Sequence, residues 1–458
     1  MELLKDKDAV ENLQAAYGFY VDKMLWREVA DLFADDGSFE WGQMGVYVGK
    51  AHIQRALLLF GKEGPEAGKL NNYMQLQPVI HVAPDGRAAK ARWQSVVMLG
   101  GQNQSGQWGL GVYENDYVKQ GGVWKIARLH YYVHRRHRLR PRLGQVGDPD
   151  AGAERRRPAR QAADGGLPRL SGRLCAAVRL QASGDGRADR HPRTARSRAG
   201  APVMTKPLIA FAAAAALAVP GLAGAVSKAP ADDAAALAAA SARLDALDKR
   251  ITRLEDANAV EIVQRTYGFF VDKAQWTKLS DLFTDDATLE IGGRGVFVGK
   301  ARVLEYMQKA FGPDGIKPGV IINHMQFQPI ADIDPDGVHA HQRMRAFVMS
   351  NGGWGIPIYE NEYRKENGVW KISKLHGPFT MYTSWDGWAK FATPNTRPDS
   401  FLPPPDLPPT VVYLTYPSYY IVPYHYPNPV TGKPFVPLTA EAGAMASPTQ
   451  VSLDNPAK

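Results

Sequence analysis

The side chains able to do chemistry in this sequence are few and unevenly placed. A single cysteine, Cys175, excludes an internal disulfide framework and a cysteine-based zinc site. No glycine-rich phosphate loop, nucleophile elbow or metal-spaced histidine cluster occurs, so the sequence offers no cofactor or metal motif. The stretch YYVHRRHRLRPRLGQ, residues 131–145, has the composition of a basic arm that would neutralise phosphates. Residues 133–203 hold 17 Arg, no Lys and 6 acidic residues, a surplus of 11 that leaves the rest of the chain at −2 out of its total of +9. A nucleic-acid role therefore rests on that one segment. What remains elsewhere is proton chemistry, carried by Asp, Glu, His and Tyr.

The elements that would position such groups occur twice. Residues 9–24, AVENLQAAYGFYVDKM, return at 259–274 as AVEIVQRTYGFFVDKA. WREVADLFADDGSFE returns as WTKLSDLFTDDATLE, GVYVGK as GVFVGK, WGLGVYENDY as WGIPIYENEY, and GGVWKIARLH as NGVWKISKLH. Two copies of one domain, 1–132 and 258–380, follow. His339 and His341 would share a strand face, but the first copy has Ala88 and Lys90 there, which argues against a metal site.

The region between the copies reads differently. From Met204, MTKPLIAFAAAAALAVPGLAGA has a lysine, an Ala-rich apolar run and a small-residue end. Residues 204–225 thus read as an internal signal peptide that would export the second copy to a periplasm or beyond. The run is short and broken by Pro220, so no stable membrane span is expected. Re-reading 132–190 one base out of frame allows strings that follow TMYTSWDGWA (380–389) and PPDLPPTVVYLTYPSYYIVPYHY (404–426) of the second copy. Residues 133–203 therefore read as an out-of-frame, disordered segment joining two paralogous genes, and the basic arm carries no nucleic-acid function.

Within each copy, apolar positions at helical spacing (Val10, Leu13, Tyr17, Tyr20, Val21) predict a first helix. A short helix, WREVADLF or WTKLSDLF, follows, with Asp35-Asp36 and Asp285-Asp286 expected at its turn. A third helix begins near Ala51 or Ala301. Long alternating strands separated by PDG and QGG or ENG turns complete an α+β pattern. Trp26, Trp276, Trp124 and Trp370 are expected core anchors. Residues 226–257 carry a short heptad seam (Leu237, Leu244, Leu247, Ile251, Leu254) that would either drive oligomerisation or cap the first helix. The Pro- and Tyr-rich tail, 381–458, should be extended and packed along a surface.

The Y-G-F-[FY]-V-D-x-x-x-W start, the D-L-F-x-D-D-x-x-[FL]-E run, the G-V-[YF]-V-G-K turn and the terminal G-V-W-K-I strand resemble SnoaL-like domains of the nuclear transport factor 2 (NTF2)-like superfamily. The resemblance implies a duplicated cone, a curved mixed sheet wrapped by three helices around an apolar pocket. It also implies a homo-oligomer or an intramolecular pseudo-dimer. Pockets of dehydratases in this superfamily carry Tyr, Asp and His. Tyr17 and Asp22, and Tyr267 and Asp272, match the first two; His324 matches the third, where the first copy has Tyr73. Arg343, Arg345, His130 and His376 are further candidates, with Tyr73, for binding an acidic or phenolic group.

The resemblance thus implies a cofactor-independent lyase, removing water or an aldehyde from a hydrophobic, aromatic small molecule. An Asp-oriented His would move the proton and a Tyr hydroxyl would polarise the substrate. The alternative is a non-catalytic small-molecule-binding or assembly module of the same fold.

Overall fold

The computed structural model describes residues 2–42, 44–101, 106–139, 231–385, 403–436 and 444–446. The expected signal peptide and most of the expected out-of-frame segment lie outside these residues. In the first repeat the order is α1 (Glu2–Asp22), α2 (Trp26–Asp31), β1 (Phe33–Trp41), β2 (Val46–Val48), α3 (Lys50–Leu57), β3 (Lys69–Val82), β4 (Ala88–Gly101), β5 (Gly106–Gln120) and β6 (Val123–Leu139). The strands form one sheet in the order β2-β1-β6-β5-β4-β3. Only β1 and β6 run parallel; the other neighbours are antiparallel.

The second repeat reproduces this plan. It consists of α4 (Ala231–Asp272), α5 (Trp276–Ser280), β7 (Phe283–Ile291), β8 (Val296–Val298), α6 (Lys300–Phe311), β9 (Ile322–Ile333), β10 (His339–Ser350), β11 (Gly353–Glu366) and β12 (Val369–Gly377). The sheet order is β8-β7-β12-β11-β10-β9, and β13 (Phe379–Thr383) adds to β11. This is the duplicated NTF2-like cone, with helices packed against each mixed sheet.

The same residues lock both copies. On the first helix of each copy, near the start of α1 and past the middle of α4, a buried carboxylate, Asp6 or Asp256, accepts from the indole N–H of Trp124 (2.9 Å) or Trp370 (2.8 Å). Lys119 or Lys365 completes each group at 2.6 Å. At the other end Trp26 and Trp276 donate to Gly61 O and Gly312 O. All four tryptophans are buried, as expected of core anchors.

Three expectations need correction. The Asp pairs 35–36 and 285–286 are not turn residues: they sit exposed inside β1 and β7, where the register to the parallel neighbour shifts. A bulge leaves such side chains facing water. Irregular chain does not begin at residue 133, because β6 stays paired with β5 as far as Leu139 opposite Gly106. A backbone ladder can continue through any non-proline sequence. The heptad seam and the first helix of the second repeat are one helix of 42 residues, with Leu237 and Leu244 exposed rather than capping anything.

The two repeats share a core. Leu70, Met74 and Met98 from the first meet Phe347, Trp354, Ile356, Met381 and Tyr416 from the second. The tail, from residue 403 to 436, does pack along a surface. Its Tyr413, Tyr420, Ile421, Val422 and Tyr426 are buried with the first repeat's core, and the Asn428 amide donates to Glu28 at 2.7 Å.

Candidate functional site

Helix α4 delivers Asp272 to the sheet because of how it ends. Ala274 adopts a left-handed φ of 49°, which stops the helix just beyond the carboxylate. Asp272 Oδ1 then accepts the backbone N–H of His324 at 2.6 Å, tying the helix end to β9. The imidazole Nδ1 of His324 lies 3.4 Å from the same oxygen, without an aligned hydrogen bond. The close approach needs Gly268: a Cβ there would come within 2.9 Å of His324 O and 2.8 Å of Gln326 Cγ. Both side chains retain some access to solvent, 17% for Asp272 and 11% for His324. Asp272 lines a cavity of about 260 Å³ with Phe311, Ile316, Lys317, Val320 and Asn323. His324 stands beside it, not in its wall.

Tyr267 is buried one and a half turns earlier on α4. Its ring packs edge-on against Tyr359 at 6.0 Å, and burial followed by the neighbouring Tyr359 pushes its phenol well above the ordinary range. It therefore touches Tyr359 and not the Asp272–His324 pair. Burial raises the Tyr359 phenol, hydrogen bonds with Tyr267 and Gln326 oppose this, and the charges of Tyr306 and Asp272 add to the rise.

The first repeat arranges the same positions to a different end. Asp22 accepts the backbone N–H of Tyr73 at 2.6 Å, as Asp272 does from His324. Here, however, Arg345 of the second repeat reaches in and pairs with Asp22 and with the amide of Asn72. Arg345 is 1% exposed and Asp22 7%. Burial pushes the Asp22 carboxyl up, and the guanidinium and the Tyr73 N–H oppose it. Tyr17 packs edge-on against Tyr113 at 5.8 Å. Trp41 stacks on Tyr131 at 4.0 Å and meets Tyr73 at 5.6 Å. These rings leave a void of only about 90 Å³.

Arg343 and Arg345 do not face the interior of their own repeat, contrary to the substrate-binding expectation. Ala340, Ala346 and Val348 of β10 point into that core, so strand alternation sends the arginines to the opposite face. Arg343 pairs with Glu360 and lies over the rings of Phe19 (4.7 Å) and Tyr424 (4.1 Å). His130 and His376 also stand apart from the Asp272–His324 pair. They sit opposite Glu40 and Glu290 in the parallel ladders, 3.4 and 3.7 Å from those carboxylates. Burial lowers both imidazoles, which favours their neutral forms. His339 is exposed beside Asp336, and His341 is half-buried beside Asp334. Among the described residues no three His, Cys, Asp or Glu side chains gather as a metal site, and no helix is long and apolar enough to cross a membrane.

Sequence reasoning missed a buried amide network present in both copies. Gln264 Oε1 accepts from Asn361 (2.7 Å) and Tyr363 (3.0 Å); Gln14 Oε1 accepts from Asn115 (3.0 Å) and Tyr117 (2.8 Å). Its signal was the shared Y-E-N-[DE]-Y motif read together with the helix glutamine. Identity in both copies marks it as a scaffold that fixes helix against sheet.

The sequence profile described as SnoaL-like domain matches residues 2–130 and 252–376, more than half of the chain. The chain belongs to the SnoaL-like domain family. Among curated relatives of this SnoaL-like chain is hexachlorocyclohexane dehydrochlorinase 1 of Sphingobium indicum. It is 26% identical over 145 residues, which cover 31% of this chain and 94% of that protein. Solved structures similar to it include ActVI-ORFA of Streptomyces coelicolor, 15% identical, covering 28% of this chain and 95% of that one, with a TM-score of 0.25. Another is the LinA-type3 dehydrochlorinase of Novosphingobium barchaimii, 15% identical, covering 34% and 98%, with a TM-score of 0.27.

Proposed function

We propose that the second repeat is a cofactor-independent lyase acting on a hydrophobic, aromatic small molecule, and that the first repeat is its non-catalytic partner. The observation that carries this is the half-buried Asp272–His324 pair beside a cavity, set against an equivalent Asp22 that Arg345 occupies. With the Asp272 carboxylate 3.4 Å from Nδ1, the imidazole would use Nε2 to take a proton from carbon. Departure of water, an aldehyde or another leaving group then completes an elimination. The dehydrochlorinase relative supports elimination as the reaction class.

The first repeat fits the alternative of a binding or assembly module. Tyr73 replaces the histidine, the rings of Trp41 and Tyr131 fill the interior, and the carboxylate is paired. We also propose, from the segment 204–225, that the second repeat works in an exported compartment. The test is direct. Turnover of hydroxylated or halogenated aromatic and alicyclic substrates should fall sharply in Asp272→Asn and His324→Gln. Unchanged rates in both would remove the lyase reading and leave a ligand-binding protein.

A further inference from the structure

The surface that carries Phe19 has a counterpart in the second repeat, and only one of the two is covered. AYGFYVD (16–22) and TYGFFVD (266–272) make Phe269 the equivalent of Phe19. GKLNNYMQ (68–75) and GVIINHMQ (319–326) pair Gly68 with Gly319 and Leu70 with Ile321. Phe19, Gly68 and Leu70 are buried, whereas Phe269, Gly319 and Ile321 are exposed. Ile316 and Val320 lengthen the uncovered strip. Folded chains seldom leave so many large apolar side chains in one region of surface without a partner.

On the first repeat the cover is the tail. It leaves the second repeat at Thr410, whose hydroxyl donates to Glu290 at 2.7 Å, and crosses over. There the Gly68 N–H donates to Pro417 O, and the Tyr416 hydroxyl donates to Gly68 O at 3.3 Å. The Tyr424 hydroxyl donates to Phe19 O at 3.4 Å, and its ring meets Tyr20 edge-on at 5.4 Å. Arg343 of the second repeat adds to the cover of Phe19. The second repeat offers matching features to such a tail. Gly319 takes the same left-handed φ as Gly68, 76° against 79°, so the chain turns alike at both contact points. Phe270 stands for Tyr20, and Lys278 for the Glu28 that accepts from Asn428. An asparagine amide carries an acceptor as well as donors, so Asn428 can meet a lysine too.

We infer that the Phe269 face is a docking surface for the 403–436 tail of a second copy of the second repeat. The fused chain has two such faces and one tail, and that tail is engaged on the first repeat. A chain carrying only the second repeat would have one face and one tail, so two of them would cover each other reciprocally, as a two-fold pair does. In the fused chain the first repeat takes the partner's place and leaves Phe269 open. A Pro-rich segment is already extended, so it loses little backbone freedom on docking. Ile316, Val320 and Ile321 also line the Asp272 cavity, so the incoming tail would lie across its rim. The docking itself does not depend on the chemistry proposed for Asp272.

The test uses the full chain, whose own tail occupies the Phe19 face, and a fluorescein-labelled synthetic peptide of residues 403–436 followed by fluorescence anisotropy. The peptide should bind saturably, one per chain. Phe269→Asp changes an exposed side chain, so the fold should stand, as thermal unfolding would check. It should weaken the peptide at least about tenfold, the scale of burying one aromatic ring. Tyr424→Ala in the peptide should weaken it by a similar factor, and a peptide of the same composition in scrambled order should not compete. No saturable binding, or equal binding of the scrambled peptide, would overturn the inference. So would an affinity unchanged by Phe269→Asp, which would mean that the peptide displaces the chain's own tail from the first repeat.

Discussion

The two repeats share elements, sheet order, tryptophan anchors and an amide network, yet their helix-end aspartates have different fates. Asp272 keeps an imidazole and partial access to solvent; Asp22 is closed off by an arginine from its neighbour. The contrast extends along the helix. Phe19 is 2% exposed beneath Arg343, Arg345 and Tyr424, whereas Phe269 at the matching position is 69% exposed. The first repeat cannot return the contact. It has Gln94 where the second has Arg345, and the tail that crosses onto the first repeat belongs to the second. Duplication thus produced one cone whose Asp–His pair keeps some access to solvent and one whose aspartate is buried against an arginine.

The comparison can be broken most sharply at the sites themselves. His324→Tyr gives the second repeat the first repeat's residue and should lower turnover by about 10²–10⁴-fold, the range for loss of a positioned base. Asp22→Asn should leave turnover unchanged; initial rates on one substrate check both. Next comes packing. Phe19→Ala should cost about 3–5 kcal/mol in denaturant unfolding, and Phe269→Ala less than about 0.5 kcal/mol, because only the first empties a buried volume.

Arg345→Gln should cost about 3 kcal/mol by leaving Asp22 buried and unpaired. Adding Asp22→Asn in that background should recover part of the loss, which a double-mutant cycle would read. If the two changes add independently, the ion pair is not what joins the repeats.

The smallest effect concerns the tail. His425 lies 2.7 Å from Glu360 and 3.4 Å from Asp332. Burial pushes it down, but the two carboxylates more than offset this and raise it to about 9. Its contribution is therefore fully present below about pH 6.5 and lost as pH rises through about 9. Half-exposed Asp332 screens part of it, so about 1–2 kcal/mol of tail docking should disappear between pH 6 and pH 10. Proteolysis of the 403–436 segment at the two pH values follows this, and His425→Gln should flatten the difference.

Much of the fold was legible because it is written in local patterns. Period-3.6 and period-2 spacing placed the helices and long strands of both copies, and the repeat gave their order twice. Asp272 and His324 came from a family resemblance, and their contact depends on a helix that stops at Ala274 against β9. Tyr267 and Asp272, five residues apart and so not on one helical face, turn to different neighbours. Arg343 and Arg345 were misplaced because a strand has two faces and sequence does not say which one meets the pocket.

The sequence by itself determined two SnoaL-like cones, an Asp–His pair in one and an Asp–Tyr pair in the other, and a tyrosine-rich tail with surface to cover. Only the tertiary structure decided that Arg345 crosses from one repeat to close the other's carboxylate, and that the tail completes the first repeat's core. The physical reason is that burial and charge pairing between segments more than 300 residues apart leave no local periodicity to read. Asp22 and Arg345 become partners only once two folded surfaces meet.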